Sequence, residues 1–107
     1  MSTFFFASQI LNNKIAIKLL ECGADPFIID ILTGHSSIHN IITINNFELL
    51  EYISNNIKNI PDHNLELSVD TVIQKNLSYT NKVILFNCLN KLKYNSKFQE
   101  NFAENYI

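Results

Sequence analysis

The chain has 107 residues, of which 47% are hydrophobic and 17% charged, so we expect one soluble domain with a modest core. Its 8 basic residues are all lysine and are outnumbered by 10 acidic residues. The chain therefore lacks both a strongly basic surface and the bidentate arginine donors that commonly bind phosphate, so we expect no nucleic-acid partner. No run of about 18 apolar residues occurs, which predicts that no segment spans a membrane.

The cysteines and the first residues favour a reducing compartment. Cys22 and Cys88 lie on separate predicted helices without a CxxC pair, which is typical of free thiols. Residues 1–9 have no basic start and soon reach Gln9, so they do not resemble a secretion signal. Asparagine and isoleucine each occur 16 times, which indicates an AT-rich genome, as in many intracellular bacteria, protists and large DNA viruses. We predict a cytoplasmic protein, located in the host cytosol if it is a secreted effector.

The first predicted elements are a helix pair over residues 3–26. A short helix is followed by a turn at Asn12-Asn13 and by a second helix that ends in Leu19-Leu20. Gly23 comes after this apolar run and suits a left-handed helix cap, because glycine has no Cβ. Asp25-Pro26 then stops the helix, since proline has no amide hydrogen to donate.

A second helix pair is predicted over residues 34–59. It opens with Gly34-His35-Ser36-Ser37-Ile38-His39, in which both serines are good N-cap residues for a helix that begins near Ile38. A turn at Asn45-Asn46 separates its two helices, and apolar residues recur at helical spacing on both. These residues are Ile38, Ile41 and Ile42, then Leu49, Leu50 and Ile53.

Together, the two junction motifs resemble the ankyrin repeat. In that family Leu-Leu followed by Gly-Ala-Asp ends one repeat, as in residues 19–25, and Gly-x-Thr-Pro-Leu-His opens the next. Here serine replaces both the threonine and the proline. The second unit ends in Asn56-Ile57-Lys58 where the family has Gly-Ala-Asp, and Ile57 lies 34 residues after Gly23, against a usual period of about 33. The additional residue falls in the loop between Pro26 and Gly34.

The resemblance implies an all-α fold, namely an ankyrin-type solenoid of stacked antiparallel helix pairs with a C-terminal capping helix, in a single domain over residues 1–107. Residues 62–107 supply a degenerate third pair and the cap. Helical periodicity after Pro61 predicts the pair, and one apolar helical edge in the tail predicts the cap. The residues concerned are Leu65, Val69, Val72 and Ile73, then Val83, Leu85, Phe86, Leu89 and Leu92, and finally Phe98, Phe102, Ala103 and Tyr106.

The loop over residues 27–33 departs from the family. It corresponds to the finger of ankyrin repeats, which is usually polar, whereas five of these seven residues are large and apolar. One interpretation is that alternate residues pack beneath neighbouring fingers; the other is an exposed patch that contacts a partner. Alternation along the segment separates Phe27, Ile29 and Ile31 from Ile28, Asp30 and Leu32, so both interpretations can apply to different residues. The predicted partner-binding residues of the loop are Phe27, Ile28, Ile29, Asp30, Ile31 and Leu32.

A second candidate surface is the concave face made by the first helix of each pair. The positions that vary and face outward in the family correspond to Phe6, Gln9, Asn40 and Thr43. Phe6 is unusually hydrophobic for such a position, which burial against an N-terminal neighbour or local disorder also explains.

No catalytic, cofactor or metal site is expected. His39 occupies the family's Leu-His position, where the imidazole hydrogen-bonds the turn, and His35 precedes the N-cap, so we expect no shared helical face and no zinc site. Cys22 lacks an orienting third group, and we expect it to be buried and unreactive. Glu48 and Glu51 are interpreted as part of a solvated face. The chain has two glycines, too few for a phosphate-binding glycine loop.

Two functions follow from the resemblance. In the first, the chain is a non-catalytic interaction module that binds another protein, and a pathogen adaptor or effector that binds a host protein if the composition indicates such a source. In the second, it is an accessory ankyrin segment of a larger enzyme whose catalytic domain lies outside this chain. The uncapped start at Phe4-Phe5-Phe6 favours the second, and the cap-like tail favours a true chain end. A homodimer formed through the apolar loop or through Phe4-Phe5-Phe6 is a third alternative.

Overall fold

The computed structural model of the protein describes residues 4, 7, 12–29, 32, 34–58, 60 and 77–107. These residues include five helices and no strand, which confirms the predicted all-helical fold for the part of the chain described. The helices are α1 Asn13–Glu21, α2 Ser37–Thr43, α3 Phe47–Asn56, α4 Tyr79–Lys91 and α5 Lys97–Tyr106. The helix predicted from Leu65, Val69, Val72 and Ile73 lies outside the described residues.

The N-cap residue directly before each of the five helices is an asparagine or a serine. Both side chains can accept a hydrogen bond from a free backbone amide at the start of a helix. At α1, α3 and α4 the cap accepts one amide: Asn12 from Ile15 at 3.2 Å, Asn46 from Leu49 at 3.4 Å and Ser78 from Asn81 at 3.2 Å. Ser36 and Ser96 are the N-cap residues of α2 and α5. The predicted N-cap at Ser36 is therefore confirmed.

Three of the helices end in a residue with left-handed backbone geometry. Gly23 has φ +99°, which confirms the cap predicted after α1, while Asn45 and Lys93 have φ 58° and 63° after α2 and α4. At each end the following amide returns to a carbonyl of the last helical turn: Ala24 to Leu19 at 2.9 Å, Asn46 to Ile41 at 3.0 Å and Tyr94 to Leu89 at 2.9 Å. This geometry turns the chain abruptly at all three ends.

Helix α3 lies at the centre of the packing. It packs against α1, α2 and α4, and α5 packs against α4. Many of the apolar residues that helical spacing placed on one helix face point into this shared core and have no exposed surface. These are Ile38, Ile41, Leu49, Leu50, Ile53, Leu85, Leu89 and Leu92. Of the others, Val83, Phe86, Phe98 and Ala103 are half-buried, and Tyr106 is exposed.

The C-terminal helix packs on α4 through aromatic rings. Phe102 is 7% exposed, and its ring centroid lies 4.6 Å from that of Phe86. Tyr79, Phe98 and Tyr106 surround it at centroid distances of 6.3, 6.1 and 4.8 Å. The apolar edge predicted for the tail is present and faces α4.

Candidate protein-interaction surface

The loop between α1 and α2 is fixed where it leaves α1. The Asp25 carboxylate accepts the amide hydrogen of Phe27 at 2.9 Å, a local turn typical of aspartate. Pro26 is buried, and Phe27 is 8% exposed and belongs to the hydrophobic core. The ring of Phe27 is therefore packed inside the protein and is not available to a partner, which removes it from the predicted contact residues.

Beyond Phe27 the loop carries aliphatic side chains into solvent. Ile28 is 58% exposed, Ile29 40% and Leu32 89%. Simple alternation would have placed Ile29 with Phe27, but the backbone here is not a strand, and Ile29 also faces solvent. The remaining predicted loop residues, Asp30 and Ile31, lie outside the described residues. We call Ile28, Ile29 and Leu32 the apolar loop patch.

The predicted concave face is described only on α2. Asn40 is half-buried and Thr43 is exposed, and their spacing of three places them on one side of the helix. The Thr43 hydroxyl donates to the carbonyl of His39 at 2.8 Å, so it is engaged within its own helix. Phe6 and Gln9 lie outside the described residues.

The end of the loop is joined to α2 through a buried histidine. The Nδ1 atom of His39 accepts the amide hydrogen of Ser36 at 3.2 Å and lies 3.1 Å from the Ser36 hydroxyl. Both residues have no exposed surface. His35 precedes the helix as predicted, yet its ring stacks on that of His39 with centroids 5.0 Å apart. The hydrogen-bonding role assigned to His39 from the sequence agrees with this geometry.

A second arrangement of the same kind lies at the start of α5 and was not predicted from the sequence. The Gln99 side chain accepts the amide hydrogen of Ser96 at 2.9 Å, while the Ser96 hydroxyl accepts the amide hydrogen of Gln99 at 3.3 Å. Gln99 also donates to the carbonyl of Tyr94 at 2.9 Å, which ties α5 to the end of α4. The signal that could have found it is serine followed three residues later by glutamine, a capping box.

The two cysteines differ in accessibility. Cys22 is exposed, so the expectation that it is buried is wrong. It is the C-cap residue of α1 and comes after Leu20, the last buried residue of that helix. Cys88 is buried on α4, and the Ser54 hydroxyl of α3 lies 3.4 Å from its sulfur. Burial raises the pKa of the Cys88 thiol, and the hydrogen bond from Ser54 only partly offsets this effect. Cys88 is therefore a weak nucleophile at neutral pH.

Within the described part of the chain, no three His, Cys, Asp or Glu side chains are grouped so that they could hold a metal ion. None of the helices described there has the length and apolar character needed to cross a membrane.

Comparison with models of protein families, with curated proteins and with solved structures found no match to this chain.

Proposed function

We propose that this chain is a non-catalytic protein-interaction module of the ankyrin type, which binds another protein through the apolar loop patch. The observation that carries the proposal is the exposure of Ile28 and Leu32, at 58% and 89%, on a loop whose base Phe27 anchors in the core. Removing apolar surface from water contributes about 25 cal/mol per Å² of favourable free energy. A complex in which a partner covers these side chains is therefore stabilised. A fixed loop base also limits the entropy lost on binding.

Contacts repeated at an interval of 34 residues support the ankyrin type. Asn12 and Asn46 cap α1 and α3 in the same way, and their own amides return to the carbonyls of Ala7 and Ile41 at 3.3 and 3.0 Å. Each member of these pairs lies 34 residues from its counterpart, close to the family period of about 33. In addition, α3 contacts both α1 and α4, as expected when equivalent helices of successive repeats lie side by side.

The test replaces Ile28 and Leu32 together by aspartate. Tagged wild-type protein is used to capture partners, which are identified by mass spectrometry, and the affinity of the purified partner is then measured by calorimetry. We expect the double variant to bind at least thirtyfold more weakly, about 2 kcal/mol, because two aliphatic contacts are lost and two charges enter the interface. Its melting temperature should change little, since both side chains are exposed.

The matched control is Ile15→Asp, which introduces the same charge at an isoleucine that is 48% exposed on α1, outside the loop. It should bind as the wild type does. If the double variant retains every partner at wild-type affinity, the contact surface lies elsewhere, and Asn40 and Thr43 become the next positions to test. If it unfolds, the two residues are part of the core. Light scattering of the wild type shows whether the partner is a second copy of the chain.

A further inference from the structure

The two serine-led capping boxes of this protein differ in one chemical respect. Both place the side chain of the third helical residue against the amide hydrogen of the N-cap serine, at 3.2 Å for His39 and Ser36 and at 2.9 Å for Gln99 and Ser96. The glutamine carbonyl accepts this hydrogen at any pH. The imidazole accepts it only while Nδ1 carries no proton. The first box can therefore respond to acid and the second cannot.

The surroundings of His39 disfavour its protonation. A backbone amide is always a donor, so the hydrogen bond from Ser36 requires the neutral ring with its proton on Nε2. Protonation would direct an N–H of the ring at the N–H of Ser36. The Ser36 hydroxyl, 3.1 Å from Nδ1, can reverse its role and accept, but the amide cannot. The imidazolium would also have no exposed surface.

The described residues around the pair of Ser36 and His39 include further titratable side chains. The ring of His35 is stacked on that of His39, with centroids 5.0 Å apart. On α3, the helix that packs against α2, the carboxylates of Glu48 and Glu51 are exposed, so water screens them. Burial raises the pKa of Tyr94, and the hydrogen bond with the Ser36 side chain only partly offsets this rise, so the Tyr94 phenol carries no charge in acid.

We propose that Ser36 and His39 form an acid-sensitive latch, which fixes the end of the apolar loop to α2 at neutral pH and opens when His39 is protonated. The latch concerns hydrogen bonding within the chain and holds whether or not the loop binds a partner. An unfolded or opened His39 has a pKa of about 6.5, and the closed state has a lower one. The stabilisation is therefore fully present above about pH 6.5 and is lost as the pH falls toward the pKa of the closed state.

Amide hydrogen exchange tests the latch in the unmodified protein. Protection of the Ser36 amide is compared with that of the Ser96 amide from pH 7.5 to 4.5, and ring nitrogen shifts of His39 report its tautomer and titration. We expect Ser36 protection to fall by up to tenfold per pH unit below about pH 6.5, relative to Ser96, with the Nε2–H tautomer at neutral pH. Parallel loss at both serines would overturn the latch, as would an Nδ1–H tautomer.

Two variants sharpen the measurement. His39→Gln copies the second box into the first, so the ratio of Ser36 to Ser96 protection should become independent of pH. His35→Gln removes the stacked imidazole but leaves the hydrogen bond, so the acid response should persist. A His39→Gln protein that keeps the wild-type response would refute the proposal. Should this variant not fold, the wild-type exchange ratio and ring shifts decide the question alone.

Discussion

Replacement of Asn46 by alanine is expected to destabilise the protein more than the same replacement at Asn12, although both residues are N-caps. Asn12 accepts one amide hydrogen at the start of α1, from Ile15 at 3.2 Å. Asn46 accepts the equivalent hydrogen from Leu49 at 3.4 Å, is 7% exposed, and also exchanges two side-chain hydrogen bonds with Asn13 of α1. The second residue therefore joins two helices as well as capping one.

The difference can be estimated from the contacts. Loss of an asparagine N-cap costs about 1 kcal/mol, which is the value expected for Asn12→Ala. In Asn46→Ala the amide pair with Asn13, at 2.7 and 3.3 Å, is lost as well. Asn13 keeps its hydrogen bond to the Glu48 carboxylate at 3.1 Å, so its side chain is not left without a partner. Loss of the pair with Asn46 should therefore reduce the free energy of unfolding by only about 1 kcal/mol more. We expect about 2 kcal/mol in total.

Urea unfolding at equilibrium measures both values, and a double-mutant cycle with Asn13→Ala isolates the pair. The coupling free energy between positions 13 and 46 should be about 1 kcal/mol, whereas positions 13 and 12, which exchange no side-chain hydrogen bond in the structure, should show a smaller value. Equal losses of stability for Asn12→Ala and Asn46→Ala, together with no coupling between 13 and 46, would refute this reasoning.

Two further predictions concern the helix ends and the thiols. Gly23→Val should lower the free energy of unfolding by about 1 kcal/mol or more, because φ is +99° at this position. A Cβ there would meet no atom within 4 Å, so the cost comes from backbone strain alone. An unchanged melting temperature would contradict this prediction. In the native protein a thiol-alkylating reagent should modify Cys22 rapidly, and it should modify Cys88 only on unfolding, since burial protects Cys88 and raises its pKa. Mass spectrometry of the labelled peptides checks the second prediction, and rapid native labelling of Cys88 would contradict it.

Much of the helical framework could be predicted from the sequence, because the forces that set it act over three or four residues. Gly23 marks a left-handed cap, and Ser36 marks the start of α2, through hydrogen bonds that a helix makes to its own ends. The spacing of Leu85 and Leu89 likewise indicates the buried side of α4, since residues four apart share a helix face. The capping box of Ser96 and Gln99 was equally local and could have been found from its spacing.

What the sequence by itself determined was therefore the helices, their caps and the presence of an apolar loop. Only the tertiary structure decided which loop residues are buried: Phe27 enters the core, whereas its neighbours Ile28 and Ile29 face solvent. Only the tertiary structure paired Asn13 with Asn46, which are 33 residues apart. Burial and such pairing depend on which other helices lie against a residue, and no pattern within a few positions of the chain contains that information.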